Sequence, residues 1–127
     1  MTKRDTASLL LAFAALTVLL SWPNAAHGAT ATGKSKIKSV LTHADSLGSC
    51  MAYVGGIPLN LNCRHNGSGI GWITFDCAGK YKPASRGRDA FKLATLAMVT
   101  NRPIKFKLDD TEKHGGYCHA YQIIFDY

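Results

Sequence analysis

The stretch CMAYVGGIPLNLNC, residues 50–63, carries the reading of the whole chain. Cys50, Ala52 and Val54 alternate with Met51 and Tyr53, Gly55-Gly56 supplies a turn, and Leu59, Leu61 and Cys63 then alternate with Asn60 and Asn62. A period of two is the signature of a half-buried strand, and two such runs about a glycine pair predict a hairpin with one apolar and one polar face. Cys50 and Cys63 are equidistant from the Gly56-Ile57 midpoint, so the hairpin would set them opposite each other and leave Cys77 to join Cys118. A rival pairing sets Cys63 with Cys77, which are symmetric about Ile70. Counting alone does not separate the three pairings of four cysteines.

Working toward the N-terminus, residues 36–43 suggest a first strand, and the small polar residues 29–35 read as a disordered leader to the fold. Residues 1–28 read as an export signal. They have a basic start at Lys3 and Arg4, an apolar run from Leu9 to Leu20, and small residues around Ala25, Ala26 and Gly28. That run is about a dozen residues, short of the ~20 that a helix needs to span a bilayer. Export implies a secreted or periplasmic protein, an oxidising compartment and two disulfides for four cysteines. Zinc is disfavoured, because no close Cys-x-x-Cys pair exists.

Toward the C-terminus, the turn formers Asn66-Gly67-Ser68-Gly69 lead to a third alternating run in which Ile73, Phe75 and Cys77 oppose Trp72, Thr74 and Asp76. Asn66-Gly67-Ser68 is also a glycosylation sequon, read here as a chance match. After Gly79 and Pro83, Ser85 is placed to cap a helix over residues 85–102. Ala90, Leu93, Ala94, Ala97 and Met98 recur on one face of it, and Asn101 with Pro103 ends it. Ile104, Phe106 and Leu108 then alternate with Lys105 and Lys107, Asp109, Asp110 and Gly115-Gly116 make a turn, and residues 117–127 form a last strand with two partly buried faces. The fold class expected is α+β, mainly β: a single domain over residues 36–127, built as a small antiparallel sheet or partly open barrel with one helix packed on it.

Nothing in the chain matches a phosphate loop, a nucleophile elbow or a His-Glu-x-x-His pair, so no catalytic residue, metal ligand or cofactor is assigned. His43, His65, His114 and His119 are the acid-base groups near neutrality, and each is expected in a solvated loop or strand end. A small basic hydrolase cleaving RNA with two of these histidines is the alternative from a different class, and an envelope interaction or inhibitor protein is a third.

Charge says more. The chain has 15 Lys and Arg against 8 Asp and Glu, a formal charge of +7 that loss of the leader would lower by one unit. Lysines at alternate positions, Lys36 with Lys38 and Lys105 with Lys107, would share strand faces and attract anions. Tyr53, Asn60, Asn62, Trp72 and Thr74 fall on predicted outward faces, where rings stack on sugars and amides or hydroxyls bond to them. With Lys105 and Lys107 they form the expected ligand-binding set, for a glycan or another anionic surface molecule. Nucleic acid is compatible with the charge only.

The cysteine-bearing hairpin from Cys50 to Cys63, and the helix-to-strand unit from Phe91-Lys92-Leu93-Ala94 through Asn101-Arg102-Pro103-Ile104-Lys105-Phe106, resemble the B subunits of bacterial AB5 toxins of the subtilase-cytotoxin and typhoid-toxin type. That resemblance implies an oligonucleotide/oligosaccharide-binding (OB) fold, a ring of identical subunits, glycan binding without catalysis, and a companion catalytic chain. It assigns no individual glycan contact in this sequence.

Overall fold

A computed structural model describes residues 28–43 and 45–125. The export-signal reading therefore falls, but for Gly28, outside the described residues. Six strands and one helix follow in order: β1 (Thr30–Lys36), β2 (Ser39–Thr42), β3 (Cys50–Val54), β4 (Gly71–Thr74), α1 (Ala84–Val99), β5 (Pro103–His114) and β6 (Tyr117–Phe125). They make one sheet in the order β1-β5-β6-β4-β3-β2. Every pairing is antiparallel except β4 with β6, which is parallel through the bridge Thr74↔His119. The class is α+β and mainly β, with one helix and a sheet that is not closed, as expected; the single parallel bridge makes the sheet mixed rather than wholly antiparallel.

The two edge strands are nevertheless consecutive in the chain, joined only by Ile37 and Lys38. So short a link is compatible with opposite sheet edges only if the sheet coils strongly, in the direction that strand twist favours. Contacts across the gap agree with this. Gly55 N–H donates to Ser35 Oγ at 2.9 Å. A Cβ on Gly33 would lie 2.4 Å from the Gly56 carbonyl oxygen, so only a residue without a side chain permits that approach.

The segment read as a disordered leader is thus β1, which pairs with β5 from Thr30↔Asp109 to Lys36↔Pro103. Its short residues have little to bury, but Ala31, Gly33 and Ser35 face Leu108, Phe106 and Ile104, which are fully or almost fully buried. The partner strand supplies the hydrophobic surface that β1 lacks.

The hairpin expected over residues 50–63 does not form. Strand β3 is real, but β2 and β4 occupy both of its edges, with Tyr53 opposite Ser39 and Trp72. Residues 55–63 instead make a loop in which Leu61 N–H bonds the Pro58 carbonyl and Ile57 N–H bonds the Gly69 carbonyl. Ile57 and Leu61 are buried while Leu59 is 62% exposed. The expected apolar face breaks at Leu59, and residues 55–63 are a loop lying over the core with Ile57 and Leu61 turned inward.

The disulfides change accordingly: Cys50 pairs with Cys77 and Cys63 with Cys118. The first closes β3 onto the segment just after β4, where Phe75 N–H bonds the Cys50 carbonyl. The second ties the 55–63 loop to β6. Neither expected pairing survives once β4, rather than residues 59–63, is the neighbour of β3.

The helix packs its small face inward, with Gly87, Ala94 and Ala97 buried against a core that includes Ala52, Val54, Ile73, Phe75 and Phe106. It begins at Ala84 after Pro83, and Ser85 does not cap it. Its end is as the sequence implied: Asn101 takes the left-handed conformation (φ 54°), its N–H bonds Met98 O, and Arg102 N–H bonds Ala97 O. These are the paired bonds of a Schellman cap, and Pro103 then bars continuation. β5 runs on through Asp109 and Asp110, leaving Gly115 and Gly116 alone to make the turn into β6.

Candidate functional site

Of the expected ligand-binding set, two residues meet. Tyr53 and Trp72 are cross-strand partners whose rings lie 5.2 Å apart, tilted by 59°, both half-buried on the face of the sheet opposite the core. Lys105 and Lys107 lie on the same side of β5, facing Lys34 and Thr32 of β1. Two strands, β6 and β4, set β5 off from β3, and each step across a sheet is about 4.8 Å. The lysine face and the aromatic pair are therefore neighbouring regions rather than one cluster.

The other three residues are placed elsewhere. Thr74 is fully buried, and its hydroxyl donates to the Leu47 carbonyl at 3.1 Å. Asn60 and Asn62 are exposed, but on the 55–63 loop. Asn62 N–H bonds Asp110 and its carbonyl accepts from Lys113 Nζ at 3.0 Å, which holds this loop against β5. Their outward position beside Tyr53 depended on a hairpin that is absent.

A second grouping was not anticipated in this form. Asp76, 1% exposed and at φ 57°, follows β4 and is turned inward. Its carboxylate accepts the backbone N–H groups of Lys80 (2.9 Å), Tyr81 (2.7 Å) and Lys82 (3.0 Å), and the His114 Nε2–H at 2.7 Å. Burial alone would raise this carboxyl, but the N–H donors from Tyr81, Lys82 and Lys80 and the His114 ring outweigh burial and hold it below the ordinary aspartate value.

Tyr81 sits between two histidines. Its ring meets His114 edge-on at 5.2 Å and stacks on His119 at 6.1 Å, while its hydroxyl donates to the Lys113 carbonyl at 2.7 Å. His119 Nδ1 donates to Glu112 Oε2 at 2.6 Å. Nearby Asp109 is likewise lowered: burial opposes, but bonds from the Thr111 hydroxyl and N–H and the Glu112 N–H, with the His119 ring when it is protonated, prevail.

His114 and His119 are thus buried, not solvated as the sequence suggested, and both converge on Tyr81. Tyr81 and Asp76 are the residues that sequence reasoning missed. The one available signal was a lone Asp on the apolar run ending at Cys77, followed by Gly79, a pattern suited to a carboxylate that collects backbone N–H groups in a turn. His43 is exposed and His65 bonds its neighbour Asn66, so neither joins the group.

Comparison with known protein families, with curated proteins and with solved structures gives no match. What the chain does must be argued from its own groups. Among the described residues no cluster of His, Cys, Asp and Glu has a metal-binding arrangement, and no helix is long and apolar enough to cross a membrane. The two disulfides suit an extracytoplasmic, oxidising compartment. A surface hollow of about 220 Å³ beside Leu96 and Phe125 contains neither the aromatic pair nor the histidines.

Proposed function

We propose that this is a secreted or periplasmic binding protein whose ligand is a glycan or another anionic surface molecule, and that it performs no catalysis. The observation that carries the reading is the Tyr53–Trp72 pair, two amphipathic rings left half-open on the outer face of a basic protein. Such rings stack on the apolar face of a pyranose, and the adjacent lysines of β1 and β5 add attraction for acidic substituents. Lys34 and Lys105 stand directly opposite each other.

The likeness to AB5 toxin B subunits supports the same class and adds a homo-oligomer with a companion catalytic chain. A glycan array with the purified protein tests the binding, and mass measurement in solution tests the ring. Binding that is lost in Trp72→Ala with the circular dichroism spectrum unchanged is the expected result. An empty array, or full binding by Trp72→Ala, overturns the assignment.

A hydrolase reading has one specific observation in its favour, the Glu112–His119 pair, whose imidazole is oriented as a general base would be. Cleavage of RNA that disappears on replacing His119 with Gln would establish it and displace the binding-only reading. A pull-down from envelope extract addresses the third class, an interaction or inhibitor protein.

A further inference from the structure

A small cleft of about 60 Å³ opens between the start of α1 and β6, lined by Lys82, Arg86, Gly87, His119 and Tyr121 against a floor of Phe75 and Ala120. Two cations and a histidine line it, and no carboxylate does. Lys82 Nζ is held 4.9 Å above the Tyr121 ring and 3.5 Å from the Tyr121 carbonyl, so its charge is fixed at the wall. The helix presents its N-terminal end here with no side-chain cap and no acid in its first turn, which leaves the local field positive.

His119 gives the cleft its chemical character. Glu112 is an acceptor, so His119 Nδ1 carries the hydrogen of that bond, and Nε2 is then the acceptor nitrogen of the neutral ring. No hydrogen bond to Nε2 is present among the described residues. None of their fully buried side-chain nitrogens or oxygens is left without a partner, so Nε2 keeps some contact with solvent, and His119 is one of the residues lining the cleft. A ligand suited to these walls is an anion that also carries a proton to give. A phosphate monoester in its singly protonated form has both: oxygens for Lys82 and Arg86, and a P–OH for Nε2. A sulfate has only the first.

We propose that this cleft is a binding site for a phosphate monoester group, with Lys82 and Arg86 as charge partners and His119 Nε2 as hydrogen-bond acceptor. The site is separate from the Tyr53–Trp72 face, and its existence does not depend on glycan binding there. Glu112 acts as a positioning residue that fixes the His119 tautomer.

The test is titration of the disulfide-bonded protein with inorganic phosphate, and separately with sulfate, at constant ionic strength, following the His119 ring nitrogens by long-range proton–nitrogen NMR. Saturable movement of the Nε2 resonance with phosphate is expected, together with weaker binding of sulfate. Arg86→Ala and Lys82→Ala should each weaken phosphate by about tenfold, the value of one charge-assisted hydrogen bond. Arg102→Ala, at the far end of α1, should leave it unchanged. No saturable shift, equal affinity for sulfate, or equal weakening by Arg102→Ala would overturn the assignment. Both cleft substitutions replace side chains outside the core, and unchanged amide spectra elsewhere would confirm that each variant is folded.

Discussion

Replacing Asp76 with Asn removes one charge and almost no volume, so its cost isolates what the buried carboxylate contributes. The carboxylate accepts four donors, with Tyr81 and Lys82 N–H on Oδ2 and Lys80 N–H and His114 Nε2–H on Oδ1. Asn keeps one oxygen for one pair and turns an NH2 toward the other. His114 can answer by moving its proton to Nδ1, but the Lys80 N–H cannot, and donor then faces donor. An orphaned buried donor costs about 1–3 kcal/mol. The surviving bonds also lose their charge-assisted strength, roughly half of each. Together these reach about 3–5 kcal/mol, the range for breaking a buried pair. A domain with on the order of 5–15 kcal/mol to lose would be visibly weakened.

Urea unfolding with both disulfides intact, followed by Trp72 fluorescence, measures the difference at pH 7. The pH dependence adds a second condition. Because the folded carboxyl is held below its unfolded value of about 3.9, its contribution is fully present above that pH and is lost as pH falls through the lower, folded value. The part of the gap between wild type and Asp76→Asn that the carboxylate charge contributes should therefore close progressively below about pH 4. Asp109 titrates in both proteins and cancels. A gap under 1 kcal/mol at pH 7, or one that persists undiminished in acid, would refute the reasoning.

Gly87→Ala should cost about 1–3 kcal/mol, since its Cβ would lie 2.4 Å from the Phe75 carbonyl oxygen, a backbone atom that cannot swing aside; the fall in thermal midpoint checks it. Proteolysis without reduction should yield peptides joining Cys50 to Cys77 and Cys63 to Cys118. Replacing the Cys63 and Cys118 pair by Ala, which opens the longer loop, should cost about 4 kcal/mol in chain entropy, against about 3.5 for Cys50 with Cys77. Asn101→Ala should cost about 1 kcal/mol while Asn101→Gly is neutral or better, because only Ala is penalised at φ 54°; urea midpoints distinguish the two.

What was readable in the sequence was local. The α1 stripe, its Asn101 stop and the alternation in β3, β4 and β5 follow from residues within a turn or two of one another. Partner choice was not readable. Residues 50–54 and 59–63 carry the pattern of a hairpin, and only the competing strands β2 and β4 show that both edges of β3 are taken. The disulfide pairing and the placement of Asn60, Asn62 and Thr74 all inherited that one choice. β1 failed for a related reason: its small residues gain their burial from Ile104, Phe106 and Leu108, some 70 positions away.

The same choice locates the chemistry. With β4 rather than residues 59–63 beside β3, the sheet consists of two antiparallel halves, β2-β3-β4 and β6-β5-β1, meeting at the single parallel bridge Thr74↔His119. One bridge leaves most backbone groups along the seam to be satisfied by other means. Side chains form a polar network around it. Thr74 bonds Leu47, Asp76 collects three N–H groups and His114, Tyr81 bonds Lys113, and Cys63 is joined to Cys118. That network holds the neighbouring turns against the sheet, and its presence alone is no sign of function. His119 is the exception within it. One of its nitrogens bonds Glu112, while the other, on our proposal, serves a cleft with two cations on its walls. Nothing in the architecture requires that second arrangement, and for that reason it is the part of the seam most informative about a ligand.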